Sequence, residues 1–142
     1  MREEFEALAS CSANHVPLSP ISFLKRAAQV YCRRPAVTYG PLARDWAGFA
    51  TRCRAVAGGL ARLGLGQGNT VSVMSPNTPA LFELNFAVPL CGAVLNTINT
   101  RLEPETVAYI LRHSDSRLVI CDSALVPLLR AAFALNGQDL PV

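Results

Sequence analysis

Lysine is nearly absent from this sequence of 142 residues, in which Lys25 stands beside twelve arginines. No Gly-Lys-Ser or Gly-Lys-Thr occurs, which excludes a Walker-type phosphate loop. Histidine occurs only twice and the five cysteines form no Cys-x-x-Cys, so zinc-ligand spacing is missing. The odd number of cysteines, several of them in apolar segments, indicates thiols in a reducing compartment such as the cytosol or the peroxisomal matrix.

Targeting and membrane signals are also missing. The acidic start, Met1–Glu6, has no apolar segment of the kind that a signal peptide needs. The longest apolar run, about Leu81 to Ile98, is interrupted by Glu83, Asn85, Pro89 and Asn96. It therefore falls short of the roughly 18 uncharged residues that a membrane span requires. The ending Pro141-Val142 is no peroxisomal address of the Ser-Lys-Leu type. We expect no membrane span and a cytoplasmic or peroxisomal location.

The composition is that of a globular domain of ordinary size, with 51% hydrophobic and 16% charged residues. The net charge of +3 is modest. The basic groups Arg33-Arg34 and Arg52, Arg54 and Arg62 are interpreted as solvated helix surface. No aromatic interleaving or groove-reading motif accompanies them, so we expect no nucleic-acid partner.

Caps and apolar periodicity predict five helices that alternate with four strands. The helices begin at Ser19-Pro20, Asp45, Thr78-Pro79, Glu103 and Ser123, and they end near Arg34, Gly64, Cys91, His113 and Leu135. The strands are predicted at 36–39, 70–74, 94–97 and 118–121. In the second helix one apolar face carries Trp46, Phe49, Cys53, Val56, Leu60 and Leu63. This order predicts an α/β fold with a parallel or mostly parallel sheet, preceded by an N-terminal arm at 1–18 and comprising 19–142.

Motifs that could carry chemistry fail on inspection. The glycines of Gly64–Gly68 follow a helix and precede a strand, the reverse of the order that a phosphate loop needs. His113-Ser114-Asp115 has the residue types of a triad, but adjacent residues at a helix end do not converge on one point. Glu83 and Glu105 are too far apart in sequence to be assigned as a catalytic pair. Read from the residues alone, the chain is an α/β domain with no active site of its own.

Several segments nevertheless resemble the plant-type acyl-activating enzymes, the carboxylate–CoA ligases of the adenylate-forming, AMP-binding superfamily. These segments are Cys11–Leu24, Ala57–Gly64, Ser75–Leu84, Gly92–Leu102 and Leu111–Ser114. Their order and spacing make the resemblance specific. The chain departs from the family at Arg44-Asp45, at a hairpin shortened around Gly40-Pro41, and at Asn69, where an Asp is usual. These departures leave the local strand pairing open.

The resemblance implies the large N-terminal domain of an enzyme that forms an acyl-adenylate from a carboxylic acid and ATP with Mg²⁺, then an acyl-CoA. The family's phosphate loop, its Tyr-Gly-x-Thr-Glu segment and its catalytic lysine are absent from this sequence. We therefore assign no catalytic, cofactor-binding or metal-binding residue to this chain and expect it to be an inactive N-terminal piece of a ligase. Two alternatives are a binding or regulatory module that associates with a full-length ligase protomer, and a small nucleotide binder.

Overall fold

A computed structural model describes residues 11, 15–16, 19–137 and 140–142. The helices are α1 (Pro20–Val30), α2 (Trp46–Arg62), α3 (Pro79–Leu90), α4 (Pro104–His113) and α5 (Val126–Asn136). The strands are β1 (Pro35–Tyr39), β2 (Leu42–Asp45), β3 (Thr70–Met74), β4 (Val94–Thr97) and β5 (Ser116–Cys121), and a 3-10 turn covers Ser123–Leu125. Most of the predicted arm at 1–18 lies outside the described residues.

The strands form two separate sheets. A parallel sheet has the order β4-β3-β5, which confirms the predicted α/β fold with flanking helices. The strand predicted at 36–39 does not join it. It forms instead an antiparallel hairpin with β2, a strand that is not among the four predicted. Gly40 at φ +56° and Pro41 make the two-residue turn, where a positive φ suits the twist of a hairpin.

Local signals set most helix ends correctly. The side chains of Ser19, Asp45 and Thr78 accept hydrogen bonds from backbone N–H groups in the first turns of α1, α2 and α3. Gly137 ends α5 in the left-handed conformation at φ +59°. The predicted cap Ser123 is wrong, because Asp122 caps a 3-10 turn there and α5 begins only at Val126.

The parallel sheet is covered on both faces, and side chains alternate between them. Val71 and Val73 pack toward α2 and α3, whereas Met74 packs in a cluster with residues of α4 and α5. A third cluster joins α1, α2 and α3 around Phe49, which is fully buried against three aromatic rings. The predicted apolar face of α2 is confirmed except at Leu63, which is exposed beyond the last turn of the helix.

Candidate functional site

A groove of about 630 Å³ opens where the polypeptide leaves β3 and β4. The loop after β3 contributes Ser75–Asn77, the end of β4 and the loop after it contribute Thr97–Arg101, and α3 contributes Leu81 and Asn85. Ligands of parallel α/β sheets usually bind outside the carboxyl ends of the strands. This groove is therefore the candidate functional site of the described residues.

Short hydrogen bonds, one between backbones and others between side chain and backbone, hold the two loops. The Ile98 N–H donates to Val73 O at 2.8 Å, which extends the β3–β4 pairing into the loop. The Arg101 N–H donates to Asn99 Oδ1 at 2.9 Å, and the Ser75 hydroxyl donates to Pro76 O at 3.0 Å. Thr78 begins α3 directly beside the groove by accepting a hydrogen bond from Leu81 N. The lining is thus built from turns whose polar side chains bond their own backbone.

The groove presents amides, hydroxyls and one cation. Arg101 is exposed, and it is the charged residue of the lining. Among the described residues, no carboxylate, imidazole or thiol lines this groove. A smaller groove of about 340 Å³ runs toward the β1–β2 hairpin and shares Asn77, Leu81 and Asn85 with the first groove. The arrangement can bind an oxygen-rich or anionic ligand.

A buried carboxylate lies behind the groove on α3. Glu83 is 3% exposed, and its Oε1 accepts hydrogen bonds from Arg52 Nε at 2.6 Å and Arg44 Nη1 at 3.0 Å. Its Oε2 accepts from Arg52 Nη2 at 3.0 Å. The two guanidiniums compensate the desolvated charge, as a buried carboxylate requires. We call this group the Glu83 cluster. It joins β2, α2 and α3.

The Glu83 cluster also alters ionisation nearby. The hydrogen bond and the charge of Glu83 raise the pKa of Arg52. Burial, and then the charge of Glu83, raise the pKa of Cys53 to about 11 from a usual 9.0. Cys53 is fully buried, and its Sγ lies 3.7 Å from Glu83 O. A thiol with a raised pKa is a poor nucleophile at neutral pH, so Cys53 acts as core.

A second polar group links the sheet to α4. The hydroxyls of Ser72 and Ser116 share a hydrogen bond at 2.6 Å, and those of Ser114 and Ser116 share one at 2.7 Å. Asn96 Nδ2 donates to Ser72 Oγ and to Ser114 Oγ. Among the described side chains, no buried nitrogen or oxygen lacks a partner. This network is therefore satisfied internally and fixes β3, β4, β5 and the end of α4 together.

The residues considered in sequence analysis do not converge on one site. His113 stacks on Tyr109 with ring centroids 5.5 Å apart, Ser114 belongs to the serine network, and Asp115 pairs with Arg117 at 3.5 Å. Glu83 is buried on α3, whereas Glu105 is exposed in the first turn of α4.

The glycines of Gly64–Gly68 connect α2 to β3, as predicted. In this turn Gly66 N donates to Asn69 Oδ1 at 3.0 Å, so an asparagine serves where the family usually has an aspartate.

The prediction that the arginines of α2 form solvated helix surface is only partly correct. Arg54 and Arg62 are exposed on α2, but Arg52 binds buried Glu83 rather than only solvent. The spacing of residues in the sequence predicts neither the Glu83 cluster nor the groove. The polar residues that directly follow two predicted strands do indicate the loops that line the groove.

The described part of the chain contains no group of three His, Cys, Asp or Glu side chains that could bind a metal ion. The described helices also include none with the length and apolarity needed to cross a bilayer. Cys32, Cys53, Cys91 and Cys121 are free thiols.

Comparison with known proteins gives one family. The family model described as "AMP-binding enzyme" matches residues 24–139. Over 138 residues the chain is 45% identical to "Probable acyl-activating enzyme 6" of Arabidopsis thaliana, covering 96% of this chain and 25% of that protein. It is likewise 45% identical over 132 residues to the peroxisomal benzoate–CoA ligase of Arabidopsis thaliana, covering 93% and 23%.

The fold has a solved counterpart in the anthranilate CoA ligase AuaEII in complex with anthranoyl-AMP. The TM-score is 0.81 at 22% identity, over 91% of this chain and 25% of that one. The chain spans about a quarter of the length of the curated relatives that it matches.

Proposed function

Because the chain belongs to the AMP-binding enzyme family, we propose that it is the N-terminal scaffold portion of an ATP-dependent carboxylate–CoA ligase. The observation that carries this proposal is the 45% identity to acyl-activating enzymes over 96% of the chain. In a full-length enzyme, the scaffold would support the pockets in which a carboxylic acid, ATP and CoA react by way of an acyl-adenylate.

The described residues support a structural role in that reaction. The groove at the carboxyl ends of β3 and β4 offers hydroxyls, amides and Arg101, and Glu83, a buried carboxylate, is engaged by two arginines. Such a donor set does not fit Mg²⁺, which prefers carboxylate and phosphate oxygens. The glycine turn between α2 and β3 precedes a strand, so it does not fit a phosphate cradle either. We assign no step of adenylation to these residues and propose that the 142-residue chain alone has no ligase activity.

Two measurements test the proposal. The purified chain is incubated with ATP, Mg²⁺ and a panel of aliphatic and aromatic carboxylic acids, and pyrophosphate release is followed. We expect no release above the rate without enzyme, and turnover would refute the inactivity. A chimera then joins residues 1–142 to the part of the Arabidopsis benzoate–CoA ligase that follows the matched segment. We expect this chimera to form benzoyl-CoA, with the native benzoate–CoA ligase as control.

The location of the full-length enzyme is also a proposal. The benzoate–CoA ligase relative is peroxisomal by name, and the free thiols Cys32, Cys53, Cys91 and Cys121 suit a reducing compartment. We propose the peroxisome or the cytosol. A fluorescent fusion of the complete reading frame, imaged with a peroxisomal marker, distinguishes the two.

A further inference from the structure

The first helix exposes large apolar side chains to solvent. In α1, Leu24 is buried in the cluster that joins α1, α2 and α3, whereas Phe23 and Val30 are 59% and 61% exposed. Tyr31, at the C-terminal cap of the helix, is 49% exposed. Side chains three, four and seven residues apart lie on one face of a helix. Phe23, Arg26 and Val30 therefore form one stripe on the outer side of α1.

The same segment is strongly basic. From Phe23 to Arg34 it contains four cations and no acid, and no Asp or Glu occurs anywhere in residues 7–44. The four cations, all of them exposed, are Lys25, Arg26, Arg33 and Arg34. None of them forms an ion pair with a described residue. Their positive charge is therefore not compensated locally and attracts anions to this side of the molecule.

The turn that follows α1 holds two of these cations in place. Arg34 N donates a hydrogen bond to Tyr31 O at 2.8 Å, and Arg34 O accepts one from Trp46 N at 3.1 Å. These bonds tie the turn to the end of α1 and to the beginning of α2. Arg33 and Arg34 consequently stay beside the exposed ring of Tyr31, so cations and apolar groups share one surface.

This combination fits a surface that is anionic outside and apolar inside. Basic helices that also expose aromatic and aliphatic side chains are typical of proteins that lie in the interface of an anionic bilayer. A partner peptide is usually held in a groove. The grooves of about 310, 340 and 630 Å³ among the described residues are lined by elements other than α1. A nucleic acid would bind the cations but would leave Val30 in water.

We propose that α1 and the turn after it bind the surface of an anionic lipid bilayer. We call this surface the α1 face, and its residues are Phe23, Arg26, Val30, Tyr31, Arg33 and Arg34. The three apolar side chains enter the headgroup region, and the guanidiniums bind anionic headgroups. The helix lies on the bilayer and does not cross it. Attachment brings the chain to the phase in which apolar carboxylic acids concentrate.

Vesicle sedimentation of the purified 142-residue chain tests the proposal. Vesicles of phosphatidylcholine mixed with phosphatidylserine are compared with vesicles of phosphatidylcholine alone, each at low and at high salt. We expect the chain to bind the mixed vesicles and to bind phosphatidylcholine alone at least roughly tenfold more weakly. Binding to the mixed vesicles should weaken as salt is added, because salt screens the attraction between cations and headgroups.

The charge probe is Arg26→Glu, and its matched control is Arg130→Glu. Both arginines are exposed, lie inside a helix and have no ion pair among the described residues, so the two variants have the same net charge. We expect Arg26→Glu to bind the mixed vesicles at least roughly tenfold more weakly than Arg130→Glu. Circular dichroism checks the fold of each variant. Arg33→Glu, outside the helix, provides a second charge probe that does not depend on the folding of Arg26→Glu.

The apolar probe is Phe23→Ala, and its matched control is Tyr109→Ala. Each change removes an aromatic ring from a helix, and the two residues are similarly exposed, at 59% and 55%. Tyr109 lies on α4, away from the α1 face. We expect only Phe23→Ala to weaken binding to the mixed vesicles, by roughly tenfold, because its ring no longer leaves water on binding.

Equal binding to the two kinds of vesicle, or equal binding by Arg26→Glu and Arg130→Glu, refutes the α1 face as a membrane-binding surface. Tighter binding to polyglutamate or to single-stranded DNA than to the mixed vesicles, with the same variants affected, also overturns the proposal. The covalent chimera with the benzoate–CoA ligase is tested in the same way. If the chimera fails to bind vesicles that the 142-residue chain binds, the remaining polypeptide covers the α1 face and the proposal is wrong. Benzoyl-CoA formation by the chimera in solution does not depend on this face, so the proposed function is tested separately.

Discussion

Replacement of Arg52 by alanine tests whether the Glu83 cluster holds the hairpin, α2 and α3 together. In the described contacts, Arg52 supplies two of the three hydrogen bonds that the Glu83 carboxylate accepts, at 2.6 and 3.0 Å. Its side chain is 50% exposed, whereas that of Glu83 is 4% exposed. The Arg52→Ala variant therefore leaves a buried carboxylate whose remaining charged partner among the described residues is Arg44, at 3.0 Å.

The expected loss of unfolding free energy follows from this difference in exposure between Arg52 and Glu83. Removing one partner of a buried ion pair costs about 3–5 kcal/mol, because the other charge stays desolvated. Arg44 retains one bond to Glu83, so we expect a loss near the lower end, about 3 kcal/mol of unfolding free energy. Glu83→Gln should cost less, about 1–2 kcal/mol, since both arginine side chains then reach water. Domains are stable by roughly 5–15 kcal/mol, so the Arg52 effect is large.

Urea unfolding followed by circular dichroism measures these differences. The matched control is Arg54→Ala, on the same helix, whose exposed guanidinium bonds only Thr51 Oγ1 in the described contacts. It should change the unfolding free energy by less than about 0.5 kcal/mol. Equal effects of Arg52→Ala and Arg54→Ala would show that the cluster contributes no net stability. A Glu83→Gln variant that costs more than Arg52→Ala would show that desolvation of the carboxylate is not the dominant cost.

Three further predictions concern the core. The pKa of Cys53 is raised to about 11 in the folded chain. The protonated thiol therefore contributes fully to the unfolding free energy below pH 9, and this contribution is lost as the pH rises toward 11. Wild-type chain should therefore lose about 2–3 kcal/mol more than Cys53→Ala over this interval in urea titrations. Phe49→Ala should cost about 3–5 kcal/mol, because Phe49 is fully buried against three aromatic rings. Ser72→Ala should cost about 1–3 kcal/mol, since Ser116 and Asn96 each lose a buried hydrogen-bond partner.

Each of these predictions has a result that contradicts it. Identical pH dependence of wild type and Cys53→Ala between pH 9 and 11 would mean that this thiol does not titrate with a raised pKa. A Phe49→Ala loss below about 1 kcal/mol would place the ring outside the cooperative core. A neutral Ser72→Ala variant would show that the serine network is dispensable.

Local chemistry was sufficient to place most elements along the chain. Ser19, Asp45 and Thr78 cap helices where their sequence context predicted, because a capping side chain bonds a backbone N–H only two or three residues away. The prediction failed at Ser123, where Asp122 offers a competing cap one residue earlier. It also missed β2, whose four residues Leu42–Asp45 have little intrinsic strand preference and pair only because the Gly40-Pro41 turn folds them onto β1.

In the candidate site, too, local sequence predicts some features and tertiary packing decides others. Polar loops after β3 and β4 could be recognised from the sequence, because residues that follow parallel strands lie at one edge of the sheet. The arginine partners of Glu83 could not, since Arg52 and Arg44 lie 31 and 39 residues away in sequence. Whether such charges meet depends on how helices pack.

By itself, the sequence determined the family, the α/β order of elements and most caps, because these depend on contiguous residues and short-range hydrogen bonds. Only the tertiary structure decided that the first strand belongs to a separate hairpin, that Glu83 is buried between two arginines, and that residue 141 pairs with Val119. These contacts join distant segments, and their free energy arises from desolvation and backbone pairing that exist only once the layers have packed.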